Sequence, residues 1–161
     1  MRGKAIPKRK IKPDTKFNRL DIAKLINYIM RRGKKITAEK IVYGALDLVA
    51  AKTKKNPLDI YAVAIKNIGP SLEIRGRRVG GANYQVPFPV NDDRRQTLAF
   101  RWIINAAKNR KGLPMSQALA AEFMDAAKGE GAAIKKKDDT HRMAEANKAF
   151  AHFARFTKKR K

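Results

Sequence analysis

His141 and His152 stand eleven positions apart, a spacing that can put both imidazoles on one helical face and begin a metal site. No third ligand accompanies them, so they read as structural histidines or RNA contacts. Asp92 and Asp93 are the other candidate ligands. Two adjacent carboxylates at a helix start instead cap it and oppose its dipole. Cysteine is absent, which excludes disulfides, thiolate metal sites and a thiol nucleophile. The spacing suggests no serine–histidine–carboxylate constellation. No glycine-rich loop closes on a lysine as a phosphate loop requires, and Gly129-Glu130-Gly131 is explained by a helix end. The expectation is no enzyme, no cofactor, no metal and no small-molecule substrate.

The chemistry that remains is charge neutralisation. Lys and Arg number 38 against 14 Asp and Glu, a formal net charge of +24 on 161 residues. Self-repulsion on that scale is relieved by a polyanion, and nucleic acid is the usual one. An anionic membrane is the competing partner. No apolar run approaches the ~20 residues of a span, and no helix is basic on one face and strongly apolar on the other. The N-terminus lacks the apolar core of a signal peptide, so a cytoplasmic protein is the simpler expectation.

The cations fall into patches. Arg2, Lys4, Lys8, Arg9, Lys10 and Lys12 share residues 1–13 with two prolines and no acid, which reads as an arm ordering along phosphates rather than as a merely solvated tail. Arg31, Arg32, Lys34 and Lys35 surround Gly33. Closing the first helix and complementing its dipole explains part of this group, and a phosphate patch explains the excess. Arg94, Arg95, Arg101, Lys108, Arg110 and Lys111 lie along or just past a later helix, and Lys136, Arg142 and Lys148 on the last one. Residues 155–161 form a second basic tail.

Helical elements must hold these patches. Ile22, Leu25, Ile26, Ile29 and Met30 recur at helical spacing, as do Ala38, Ile41, Val42, Ala45, Leu48 and Val49 behind Thr37, a candidate N-cap. Asn56-Pro57 signals N-cap and first helical position, and Leu58, Ala62, Ile65 and Ile68 mark the buried stripe that follows. Asn91-Asp92-Asp93 caps a fourth helix whose Leu98, Trp102, Ile103 and Ala106 point away from its arginines, which makes Trp102 core rather than a base-stacking platform. Leu119, Phe123, Met124 and Ala127 mark a fifth helix, and AAIKKKDDTHRMAEANKAFAHF reads as one closing helix.

Leu72 to Val90 breaks this rhythm. Period-two alternation on both sides of Gly80-Gly81 predicts a β-hairpin at about 72–90 carrying Arg75, Arg77 and Arg78. Tyr84, Val86, Phe88 and Val90 share a face of the second strand. Pro87 and Pro89, two apart, both turn their missing N–H to the unpaired edge. The expected fold is mainly α: a single helical domain of about six helices over 14–154, with a protruding two-stranded arm.

Four stretches then combine: PSLEIRGRRVGGANYQVPFPV (70–90), RRGKK (31–35), RWIINAAKNRKGLPM (101–115) and KKDDTHRMAEANKAFAHF (136–153). Together they resemble bacterial-type small-subunit ribosomal protein seven over essentially the whole chain. The resemblance implies a primary rRNA-binding protein that binds the 3′ major domain of 16S rRNA and nucleates head assembly. It also implies a hairpin near the E-site tRNA and the mRNA exit path, with small-subunit ribosomal proteins nine and eleven as neighbours. The family's RNA-facing positions carry over to Arg75, Arg77, Arg78, Gly80 and Gly81 on the hairpin. They carry over also to Arg2, Lys4, Lys10, Lys34, Lys35, Arg94, Arg95 and Arg142. The reading from another class is an architectural DNA-binding protein that uses the basic β arm in the minor groove. An RNA-modifying enzyme would require a cofactor loop or catalytic cluster that is missing.

Overall fold

The computed structural model describes residues 11–154. The order is α1 (Leu20–Ile29), α2 (Lys35–Thr53), α3 (Pro57–Ile68), β1 (Leu72–Val79), β2 (Ala82–Pro89), α4 (Asp92–Asn109), α5 (Met115–Lys128) and α6 (Ala132–Ala146), then a 3-10 helix at Lys148–Ala154. The mainly helical body with one hairpin arm is the architecture the patterning predicts.

Helix α5 lies at the centre because it can be buried on more than one side. Leu119, Phe123 and Ala126 are fully buried, with Ala118 and Ala120 beside them, and the helix packs on α2, α3 and α4. Alanines at these positions let helix axes approach closely. Ile22, Leu25 and Ile26 of α1, Val42, Leu46 and Val49 of α2, and Phe100 and Ile103 of α4 complete the core. Trp102 packs against that core, partly buried, as its place in the apolar stripe predicts.

Three local expectations need correction. Thr37 is not the N-cap of α2. Arg32 and Gly33 both adopt left-handed backbone, and the Lys34 and Lys35 amides bond back to the Arg31 and Gly33 carbonyls, so the chain reverses sooner. The helix therefore starts at Lys35, with Lys34 at the N-cap and no side-chain cap. Arg31, Arg32, Lys34 and Lys35 accordingly lie past the last turn of α1, which itself holds no cation. They gather where α2 presents the positive end of its dipole, an arrangement that invites an anion.

In α3 the buried face is Tyr61, Ala64 and Ile68, while Ala62 is exposed and Leu58 and Ile65 are partly covered. Tyr61 turns the helix because its ring packs edge-on against Phe123, centroids 5.5 Å apart. Burial pushes its phenol well above the ordinary tyrosine range. The start of α3 does follow the pattern: Asn56 accepts the Leu58 amide at 3.1 Å and Pro57 occupies the first turn.

The closing segment is not one helix. α6 ends at Ala146, Asn147 bonds back to the Met143 carbonyl, and a 3-10 helix follows. With three residues per turn, side chains at i and i+3 eclipse. That geometry stacks Phe150 and Phe153 at 6.3 Å and an interplanar angle of 9°, and both rings meet Tyr84 of β2. A continuous α-helix would splay the two phenylalanines by about a sixth of a turn.

Candidate nucleic-acid interface

The hairpin is built as a rigid arm. Gly80 and Gly81 have φ of +56° and +90°, the pair of left-handed conformations that a two-residue type I′ turn demands. Register pairs Val79 with Ala82, Ile74 with Pro87 and Leu72 with Pro89. The Val90 amide donates to the Ser71 carbonyl at 3.0 Å, which makes the alternate pairs at Pro89 and Pro87 non-hydrogen-bonded. Both proline nitrogens therefore face the open edge of β2, as their spacing predicts.

Its root is fixed by charge. Glu73 of β1, 6% exposed, bonds Arg94 of α4 at 3.0 Å through one oxygen and Arg75 of β1 through the other. Burial pushes the Glu73 carboxyl up, but the hydrogen bonds from Arg94 and Arg75 outweigh it and hold the group below its ordinary value of 4.5. Arg95 donates to the Pro70 carbonyl at 3.2 Å and lies over Gly69, where a Cβ would meet its Cγ at 2.7 Å. On the far side, the Ser71 amide donates to His141 Nε2 at 3.1 Å, and Arg77 donates to the Phe153 carbonyl at 3.0 Å. His141 thus acts as a structural acceptor. His152 lies against the Phe153 ring, and among the described residues no cluster of ligands could hold a metal.

A lowered carboxyl pKa carries a pH signature. The unfolded state holds more protons below 4.5, so Glu73 contributes its full stabilisation above that value and loses it as pH falls through the lowered folded value. Urea midpoints measured from pH 7 downwards should show the native protein above Glu73→Gln at neutral pH, with the gap closing in acid. A gap independent of pH would refute the ionised bridge.

The predicted cations sort into two groups. Lys12, Arg31, Arg32, Lys34, Arg78, Arg101, Lys108, Lys111, Lys136 and Lys148 are exposed, and among the described residues no carboxylate lies within ion-pair distance of them. Lys35 pairs with Glu39 at 3.7 Å, Arg95 with Asp92 at 3.3 Å, and Arg142 with Asp139, all on exposed surface where such pairs hold weakly. Arg110 is different. Its Nε bonds Glu122 at 2.7 Å and its Nη2 bonds Asp125, tying the end of α4 to α5. Its guanidinium serves the fold, and we leave it out of the interface.

Arg2, Lys4, Lys8, Arg9 and Lys10, with the basic tail at 155–161, lie outside the described residues. The root of the N-terminal segment is within them. Buried Asp14 accepts the Lys16 and Phe17 amides and the Tyr43 hydroxyl, while Lys16 pairs with Asp47 at 2.8 Å. These contacts fasten the chain to α2 immediately after Lys12. Sequence reasoning missed this anchor, and it missed Glu73. The signal for Glu73 was a lone acid alternating with arginines in a strand.

The family model for ribosomal protein S7p/S5e matches residues 1–148. The chain belongs to that family. It is 58% identical over 149 residues to the small ribosomal subunit protein uS7 of Pelotomaculum thermopropionicum, covering 92% of this chain and 96% of the relative. It is 55% identical over 153 residues to the protein of the same name from Thermotoga maritima, covering 95% and 99%. A third such relative, from Carboxydothermus hydrogenoformans, is 56% identical over 148 residues, covering 92% and 95%. The family is one of structural ribosomal proteins and not of enzymes. Among the described residues no helix is long and apolar enough to cross a membrane.

Proposed function

We propose that the chain is a primary binder of the 3′ major domain of 16S rRNA and nucleates assembly of the small-subunit head in the cytoplasm. The hairpin would face the E-site tRNA and the mRNA exit path, and small-subunit ribosomal proteins nine and eleven would be its neighbours. The observation that carries this reading is the set of exposed, unpaired arginines and lysines held at fixed spacing by a helical body. Four cations at the positive end of α2 and an arginine-bearing arm anchored on Glu73 fit several RNA helices meeting at a junction. Basic residues at both chain ends, Arg2, Lys4, Lys8, Arg9 and Lys10 among them, extend the contact along phosphates. Selectivity comes from RNA shape, because side chains cannot read the deep groove of an A-form helix.

The direct test is binding to a 3′-domain rRNA fragment, to a version with its junction disrupted, and to duplex DNA, across a salt series. Affinity falls as salt rises, since neutralised phosphates release counterions. The intact junction should keep its advantage throughout. Equal binding that fades together would leave only bulk charge, and a preference for duplex DNA would favour an architectural DNA-binding protein.

The arm and the body divide the work. Arg77→Ala with Arg78→Ala should leave binding to the 3′-domain fragment intact and alter E-site tRNA protection in reconstituted subunits. Arg78→Ala alone, which keeps the Arg77–Phe153 bond, should show the same split in weaker form. Loss of fragment binding in either variant would overturn it.

A further inference from the structure

Between the root of the hairpin and the α6–3-10 segment lies an open groove of about 800 Å³. Pro87, Phe88 and Pro89 line one side, and Ala144 and Ala151 the other. The volume suits a drug-sized or nucleotide-sized ligand, about 300–1,000 Å³ being usual for such sites. Proline nitrogens cannot donate, so no third strand can be added along the open edge of β2. An occupant there must be held by flat apolar packing and by side chains.

Charge at the mouth narrows the choice. Arg75 stands there with its guanidinium 5.3 Å from the Phe88 ring centroid. Its partner Glu73 also neutralises Arg94, so one carboxylate serves two arginines and the site keeps positive charge. Lys148 adds a second exposed cation with no carboxylate in ion-pair distance among the described residues. Beside them is Glu145, exposed and likewise free of any described cation at ion-pair distance. Two cations fit phosphates. A carboxylate lining the same groove opposes phosphates and needs a donor instead.

One chemistry meets all three conditions: a planar apolar ring, flanking phosphates, and paired N–H donors on one edge. A carboxylate accepts two parallel hydrogen bonds. Guanine, once unpaired, presents adjacent N1–H and N2–H donors on its Watson–Crick edge, the edge read in splayed single strands. We infer that this groove holds one unpaired guanine nucleotide of an RNA strand. The base packs on Phe88 and the proline rings, its donors meet Glu145, and its phosphates lie between Arg75 and Lys148. The inference rests on the RNA-binding reading above and makes Glu145 the residue that sets base preference.

The experiment uses the full chain and fluorescein-labelled oligouridine, with or without a single guanosine or adenosine in the middle, read by anisotropy. The guanosine oligomer should bind about tenfold tighter than either control, the lower end of discrimination by a bidentate contact. Glu145→Gln should bring that ratio close to one without weakening plain oligouridine. Ala151→Gln, an exposed change that narrows the groove, should weaken the guanosine oligomer most. Equal affinity for all three oligomers, or a preference that survives Glu145→Gln, overturns the inference. If the 3′-domain fragment still binds in that case, the rRNA reading stands and only the groove assignment falls. If neither RNA binds, both fall. Slowed hydrogen exchange along β1 with small-subunit protein nine or eleven, but not with the guanosine oligomer, would give the groove to a protein and overturn it as well.

Discussion

Arg110→Ala should lower the stability of the free protein by about 3 kcal/mol, the lower end for breaking a buried ion pair by removing one partner. The reason lies with Glu122, which is 2% exposed and has one oxygen without a hydrogen-bond partner among the described residues. Arg110 satisfies the other oxygen at 2.7 Å and reaches Asp125 with the same guanidinium. Without it the buried carboxylate loses the cation that it pairs with. Urea unfolding of the variant should show the loss, and Glu122→Gln in the same background should restore part of it. A loss of RNA affinity with unchanged stability would instead return Arg110 to the interface.

The second large effect belongs to Phe123. It is fully buried on α5, edge-on to Tyr61, in the helix that packs against α2, α3 and α4. Phe123→Ala removes that ring from a site where three helices hold the walls apart, so little collapse can fill the space. The expected cost is about 3–5 kcal/mol. Against a typical total of ~5–15 kcal/mol, the free variant would be close to unfolding. A ligand that binds only the native state restores stability by mass action. Urea midpoints measured with and without the 3′-domain fragment should therefore rise by about the same increment for Phe123→Ala as for the native chain, with the variant starting from the lower value.

Much of this fold was legible where apolar spacing alone decided the outcome. The face of α1 and most of those of α2 and α5 follow from period, and the hairpin from the glycine pair, although buried Leu46 and Ala126 were missed. Legibility failed where a polar or ambiguous side chain took a core place. Tyr61 displaced Ala62 from the buried face because an aromatic ring gained more area than a methyl, hydroxyl notwithstanding. Glu122 hides in the middle of α5, tolerated only because Arg110 arrives from the end of α4, across a break where helical periodicity no longer relates the two. The break at Asn147 is similarly non-local: Tyr84, more than sixty residues earlier, draws Phe150 and Phe153 into eclipsed register.

The candidate interface divides along the same line. Cations in runs, such as Arg31 to Lys35, were visible as a patch. The pairing of Arg94 was not visible, since Glu73 reaches it from another element, whereas Asp92 with Arg95 and Asp139 with Arg142 stand at the i,i+3 spacing that a helix brings together. Glu145 and the groove beside it carried no pattern at all.

The bridge at Glu73 also gives the arm mechanical character. Each strand of the hairpin has eight residues, a reach of about 26 Å at 3.3 Å per residue. Glu73 clamps its foot to α4, Ser71 and His141 clamp the same end to α6, and Arg77, in its outer half, ties it to the Phe153 carbonyl. A ribbon held at three points cannot swing freely, so a push at Gly80 becomes torque on the bundle instead of a bend in the arm. Whatever touches the tip is thereby reported to the helices that carry the rest of the cations.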